Sequence, residues 1–228
     1  MKSKRGSVNC ITIKAKANRH GYFLLLLGCC LLALVLIFSQ FYWQQARLVL
    51  IFLILCSFVV IITGLFKRSE PKFSIHLTPE NILYHHRYGH WQLTWQQIQT
   101  INIVTELSGL TTVALPYIGL KLKNIECLAE QISPRLANRL IHEQRPLLTF
   151  CVMHRLLTIE QTQLNFTPFK LRSGQLIKGP IAGFLHHCQT LQLSLGYHLY
   201  IPESSTDREL EDFYQLLQQC KTAENHYR

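Results

Sequence analysis

Eleven histidines and eight cysteines give this 228-residue chain a large supply of imidazole and thiol groups, whereas aspartate occurs only at Asp207 and Asp212. Imidazole can ligate a transition metal or exchange protons near neutral pH. The spacing argues against a metal. His85, His86 and His90 flank one predicted hairpin turn, and neighbours on a strand point to opposite faces. His186-His187-Cys188 falls on a predicted helix, where adjacent side chains diverge by about 100° and do not share one ion. No CxxC pair occurs, so neither a zinc ribbon nor a dithiol redox site is indicated. The scattered cysteines read as small apolar residues of a reducing compartment.

Acid–base and nucleophilic chemistry find little to use. Both aspartates lie on the last predicted helix, no G-x-S-x-G elbow is present, and neither a P-loop nor a G-x-G-x-x-G occurs. His142-Glu143 opens a string like HExxH, but Pro146 stands where the second histidine would be. The expectation is a non-enzymatic protein without cofactor or metal. The remaining polar candidates are basic. Lys67, Arg68 and Lys72, with Lys170, Arg172 and Lys178 around a predicted turn, would contact anionic headgroups at about 1 kcal/mol each. Lys170, Arg172 and Lys178 form no polybasic block, so an ordinary solvated turn is their simpler reading.

What positions these groups is an apolar N-terminal region. No charge occurs from Gly21 to Ala46, and the runs 22–39 and 48–66 are each long enough for the roughly 30 Å hydrocarbon core as a helix. The segment Gln40–Arg47, with three aromatics, would turn the chain between them at the membrane interface. Gly28, Ala33, Ser57 and Gly64 would let two such helices approach closely. A cleaved signal peptide would be shorter and end in small residues, not in Ser39-Gln40-Phe41. Cys29 follows a lipobox-like Leu26-Leu27-Gly28, but the apolar run continues past it.

Charge then orients the chain. Of the net +10, residues 1–20 supply six basic side chains and no acid, Arg47 is the one charge between the runs, and residues 67–228 carry only +3. The positive-inside rule puts both termini in the cytoplasm of a multi-pass membrane protein. A domain of +3 whose aromatics alternate on strands excludes a nucleic-acid partner. The expected partners are the lipid bilayer, its anionic headgroups, and a protein partner or a second copy in the membrane.

The region 67–228 reads as a cytoplasmic α+β domain. Phe73, Ile75 and Leu77 alternate with polar residues, Ile82–His86 makes a second strand, and Trp91, Leu93 and Trp95 a third. An extended Ile101–Val104 and a strand from Tyr117 to Lys123 complete an antiparallel meander. Ser133-Pro134 starts a helix, Leu147–Leu157 a second, and Leu164–Ile177 reads as strands around Arg172–Gln175. Gly179-Pro180 starts a helix that Gly196 closes, Tyr197–Ile201 is a last strand, and Thr206-x-x-Glu209 reads as the capping box of a final helix with the stripe Leu210, Phe213, Leu217, Cys220.

The unit Leu77-Thr78-Pro79-Glu80-Asn81-Ile82-Leu83-Tyr84, followed by Gly89-His90-Trp91-Gln92-Leu93-Thr94-Trp95-Gln96-Gln97-Ile98-Gln99-Thr100-Ile101, resembles bacterial PH-like domains. With the apolar runs ahead of it, the layout is similar to an uncharacterised gammaproteobacterial inner-membrane family with two spans and one such domain. That resemblance implies no activity and transfers no catalytic residue. It implies a membrane-anchored α+β fold: a transmembrane helical hairpin (21–66), then a PH-like antiparallel sheet or barrel (73–123 and 196–221). A helical insertion (124–195) and a C-terminal helix complete it. The expected function is presentation of this domain for protein or lipid binding at the membrane. The alternative is a membrane enzyme acting on a lipid or cell-envelope intermediate, which would need Lys170 or Arg172 to converge with a glutamate and a histidine in one pocket.

Overall fold

The computed structural model describes residues 10–14, 21–68, 74–108 and 111–226. Lys2, Lys4, Arg5, Lys16, Arg19, Pro71, Lys72, Phe73 and the side chain of Arg68 lie outside the described residues. The chain forms two compact units: Ala15–Lys72, and Met1–Lys14 together with Phe73–Arg228.

The first unit is helix α1 (Gly21–Arg68), of which Tyr22–Lys67 is long and apolar enough to cross a membrane, with a mean hydropathy of 3.1 in its most apolar stretch. Ala46 interrupts it with non-helical angles (φ −129°, ψ 30°). A Cβ on Gly28 would lie 2.7 Å from Ile61 Cγ1, and one on Gly64 would lie 2.8 Å from the Leu25 backbone nitrogen. A straight helix would hold Gly28 and Ile61 roughly 50 Å apart. The chain therefore doubles back at Ala46. Gly28 and Val35 before the bend, and Leu50, Ser57 and Gly64 after it, are the buried positions. Their spacing by sevens is that of a coiled-coil seam. Ala33 is exposed instead, because five residues beyond Gly28 carries it about 140° round the helix. The segment Gln40–Arg47, expected as a loop, is helical except at Ala46, and no glycine or proline in it opposes helix. Ser57 Oγ donates to Leu53 O at 2.8 Å, which satisfies its hydroxyl among apolar neighbours.

The second unit opens with a strand inside the stretch read as a basic tail. Strand β1 (Ile11–Ile13) pairs antiparallel with β2 (Ile75–Leu77) in the register Ile11↔Leu77, Ile13↔Ile75. Ile13 is fully buried, and Ser74 N donates to its carbonyl at 2.9 Å. Three residues among lysines carry too little alternation to be recognised without their partner strand. β3 (Asn81–His86) and β4 (Gly89–Thr94) complete a four-stranded sheet in the order β1-β2-β3-β4. A single turn at Trp95–Gln97 follows. Trp95 is buried there, and its Nε1 donates to Thr78 O at 2.9 Å.

The second sheet comprises β5 (Ile98–Ser108), β6 (Thr111–Leu122) and β9 (Leu199–Pro202) in the order β5-β6-β9. β6 starts earlier than expected and includes Pro116. The β5–β6 register slips between Ile103 and Thr105, opposite this residue, which has no N–H to give the ladder. Helix α6 (Leu210–His226) covers the sheet with Phe213 and Leu217, both fully buried. Gln218 Nε2 and Lys221 Nζ donate to the carbonyls of Ile101 and Gln99. Thr206 makes no capping box. Its buried hydroxyl donates to Glu203 O and Arg208 O, so the helix begins later.

Between β6 and β9 lie α2 (Cys127–Gln131), α3 (Pro134–Glu143), α4 (Arg145–Met153), the two-residue strands β7 (Phe169–Lys170) and β8 (Leu176–Ile177), and α5 (Pro180–Leu195). Ser133 Oγ accepts from Leu136 N as the helix start predicts. Gly196, at φ +87°, ends α5 in the left-handed region. Most of Leu164–Ile177 is irregular rather than strand, and α4 stops four residues short of Leu157. Leu136, Ile141, Phe184, Leu185 and Cys188 pack into the same core cluster as Ile13, Ile82, Trp95 and Phe213. The insertion is thus built into the core of the sheets.

Replacing Ile13 by alanine should lower the unfolding free energy by about 2–5 kcal/mol. Thr12→Ala, on the exposed side of the same strand, should change it by less than about 0.5 kcal/mol. Urea unfolding of the full chain in micelles distinguishes them, and equal small effects would show β1 to be dispensable. Gly64→Val should cost about 1–3 kcal/mol by forcing the arms of α1 apart, measured against Leu55→Val at an exposed position of the same helix.

Candidate functional site

Two neighbouring grooves lie where the chain crosses from α4 to α5. α3 and α4 meet at Gln144, a buried residue that ends one helix and precedes the other. After Met153 the chain tightens: Arg155 takes φ 60°, and Leu156 N and Leu157 N both donate to Cys151 O. One turn at Glu160–Thr162 follows. The chain then passes over α5, where a Cβ on Gly183 would lie 2.7 Å from the Phe166 ring. Only glycine lets the crossover come so close. A groove is left on each side of it, and Leu148, Thr162, Gln163 and Leu164 border both.

The groove on the α5 side has a volume of about 400 Å³ and is lined by five leucines together with uncharged polar groups, among them Gln161, Gln163, Asn165, Gln189, Thr190 and Ser194, with Glu160 the one acid. His187 also lines it, and its Nε2 lies 3.1 Å from Gln144 Oε1. The amide oxygen can only accept, so Nε2 carries the proton and Nδ1 is the acceptor. Burial pushes the His187 pKa down to about 4, which leaves it neutral at neutral pH. The hydroxyls of Thr162, Thr190 and Ser194 donate to the carbonyls of Ile159, His186 and Thr190. Cys151 and Cys188 are sealed in the core, and burial raises the Cys188 thiol strongly. The groove offers neutral hydrogen-bonding groups rather than an activated nucleophile.

The groove on the other side is larger, about 520 Å³, and different in chemistry. Ile141, Leu148, Val152, Met153, Ile159 and Leu164 wall it, and Arg145 is its one charged lining residue.

The basic residues singled out by sequence behave otherwise. Lys170, Arg172 and Lys178 are exposed and line neither groove. The backbone N–H of Arg172, not its guanidinium, is what donates to Glu126. Lys67 is half-buried at the end of α1. The convergence of Lys170 or Arg172 with a glutamate and a histidine is not formed in either groove. Gln144 and Arg145 were not singled out by sequence, and His187 was weighed only as a metal ligand. For His187 a signal existed: it lies three residues after Phe184, on the buried side of the predicted helix.

The hairpin histidines divide as the strand period requires. The His85 ring lies 5.0 Å from that of His76 and 5.9 Å from that of His90, and burial, then these two neighbours, lower its pKa. His86 points the other way, its Nε2 3.4 Å from Glu143 Oε1, which Arg139 Nε also reaches at 2.7 Å. Burial acts to raise the Glu143 pKa, but the hydrogen bonds and charges of His86 and Arg139 outweigh it and hold the carboxyl below its usual range. His186 and His187 diverge, to Thr167 O and Gln144. Among the described residues no group of three His, Cys, Asp or Glu side chains is placed to hold a metal ion.

Two antiparallel sheets, a C-terminal helix and a groove-bearing helical insertion define this as an α+β domain that joins to a long apolar helix. The family described as Protein of unknown function (DUF2982) matches residues 75–223, and the chain belongs to it. No curated protein and no solved structure matches the chain.

Neutral burial of His187 sets a pH dependence. Its folded-state pKa is depressed, so the unfolded chain binds more protons between about pH 6.5 and 4, and stability falls as pH falls through that window. The loss should approach about 3 kcal/mol, and His187→Gln, which keeps a donor for Gln144, should remove it. Thermal unfolding at pH 7 and pH 4.5 checks this, and an unchanged acid loss in the variant would assign it to other groups.

Proposed function

We propose that this chain is a non-enzymatic protein of the bacterial inner membrane. In this reading α1 crosses the bilayer twice as a helical hairpin, both termini face the cytoplasm, and the α+β domain is PH-like and binds lipid or protein at the membrane surface. One observation carries it: β1 and β2, which bracket α1 in sequence, pair in one sheet. Ile13 and Ile75 face each other across that pair, so an apolar segment joining them crosses a bilayer an even number of times. The connections 14–21 and 68–75 reach at most about 25 Å each when extended, whereas a straight helix the length of α1 would run about 72 Å. The bend at Ala46 and the contacts of Gly28 and Gly64 meet this need.

The surface of α1 supports a lipid environment. Phe23, Leu34, Phe41, Leu48, Phe52 and Phe66 are exposed, and an apolar helix exposed on nearly all sides is stable where the solvent is hydrocarbon. The PH-like reading draws on the layout of four antiparallel strands, then three, closed by a helix, with β1 supplying a strand that precedes the anchor. The two grooves give the domain concavities of ligand size.

Reporter fusions test the topology. Reporters at residues 1 and 228 should be active only as cytoplasmic enzymes, and one inserted at Gln44 only as a periplasmic enzyme. Periplasmic activity at residue 228 overturns the arrangement. Crosslinking in intact membranes should trap lipid or protein on the domain, and a domain that crosslinks to nothing removes the binding role.

A further inference from the structure

We propose that the larger groove binds a single-chain anionic amphiphile, a long acyl chain ending in a carboxylate or a phosphate. The chain would lie against Leu148, Val152, Met153, Ile159 and Leu164, with the acidic head at Arg145. The proposal deepens the reading of the domain as a membrane-surface binder and rests on it, since the membrane is what supplies such molecules.

The walls define the tail. Met153 and Ile159 are 75% and 69% exposed and stand in one groove with Leu164, itself 40% exposed. Covering such side chains takes apolar surface out of water, so an apolar occupant gains what the folded chain leaves unused. Seven of the sixteen residues lining the neighbouring groove carry amides or hydroxyls, against three of ten here, so a sugar or a nucleoside would leave most of these walls unmatched.

One residue defines the head. Arg145 is exposed on the groove. The ion pairs among the described residues are His86–Glu143, Arg139–Glu143 and Arg208–Asp207, and Arg145 is in none of them. Glu143, the acid nearest in sequence, is already committed to Arg139 and His86. A guanidinium presents a planar fork that matches carboxylate and phosphate oxygens. Arg145 begins α4 and Met153 ends it, which puts about 12 Å of helix between charge and tail-binding wall. Charge at one end and apolar walls along the rest is the complement of an amphiphile, not of a neutral oil or a compact anion.

The test uses the full chain in nanodiscs of neutral phosphatidylcholine, which avoids competing detergent. Diazirine-bearing palmitate, the matching lysophosphatidic acid and the matching alcohol are photolysed in turn, and labelled peptides are located by mass spectrometry. At least one acid should label the segment 153–164 at least tenfold more than the alcohol. Arg145→Gln should cut that labelling about tenfold, and Thr149→Trp, which fills the groove from an exposed position, should abolish it. Unfolding midpoints equal to the parent's establish that both variants fold. Palmitate alone would identify a free fatty acid as the source, lysophosphatidic acid alone a lipid headgroup. Labelling confined to α1, or labelling of 153–164 that neither variant reduces, overturns the proposal. If the reporters still hold both termini in the cytoplasm, the membrane reading survives that failure.

Discussion

The pairing of β1 with β2 is the constraint on which the rest depends. Three residues from the N-terminal side of α1 are locked, by Ile13 burial and by the two hydrogen bonds of Ser74 to the Ile13 carbonyl, to three residues on its C-terminal side. Everything between them is a loop in the topological sense, although it contains 48 helical residues. Closing such a loop is compatible with a long helix only if the helix reverses. The sequence meets that requirement with a break at Ala46 and with two glycines placed where the arms touch. Packing in the apolar unit and strand register in the sheet are thus two consequences of one closure.

The core of the second unit shows why the insertion does not stand apart. Its helices reach the sheets through apolar residues, but polar links fix the register. Glu143 at the end of α3 meets His86 at the β3–β4 turn, and the next residue, Gln144, meets His187 on α5. Each is a polar group that would be costly to bury alone and that its partner satisfies. Two consecutive residues therefore tie the insertion to the first sheet on one side and to its own longest core helix on the other. The same tie places α4, which starts at Arg145, and with it the wall of the apolar groove.

Much of this was legible in the residue pattern, and the misses have physical causes. The strands around Leu77, Tyr84 and Trp91, the helix starts at Ser133-Pro134 and Gly179-Pro180, and the stripe ending at Cys220 follow from period and capping chemistry, which are local. β1 was not legible because three residues declare themselves a strand only when partners 62 to 66 residues later are in place. Thr206 looked like a cap because its spacing to Glu209 is right, yet a buried hydroxyl takes the nearest carbonyls, and here these were Glu203 and Arg208. The strand expected from Tyr117 begins at Thr111, and a register slip accommodates Pro116 within it. The basic residues were found by type alone. Type does not tell which of them faces a concavity: Lys170, Arg172 and Lys178 line neither groove, and Arg145 lines the apolar one.

The grooves themselves arise from a length mismatch that no local pattern records. α4 ends at Met153 and α5 does not begin until Pro180, and the chain between them must cross back over α5. Gly183 lets Phe166 settle on the helix, which holds the crossover down at one point, while Glu160–Thr162 forms a single turn above it. Leu147 and Cys151 of α4 pack with Leu191 and Leu195 of α5 in one cluster, and the crossover leaves both flanks unfilled. The polar flank falls on the side of α5 that carries Gln189, Thr190 and Ser194, the apolar flank on the side of α4 that carries Val152 and Met153. α5 presents Gln189, Thr190 and Ser194 beside Leu193 to one groove, and α4 presents Val152 and Met153 to the other, which accounts for two neighbouring grooves of different chemistry.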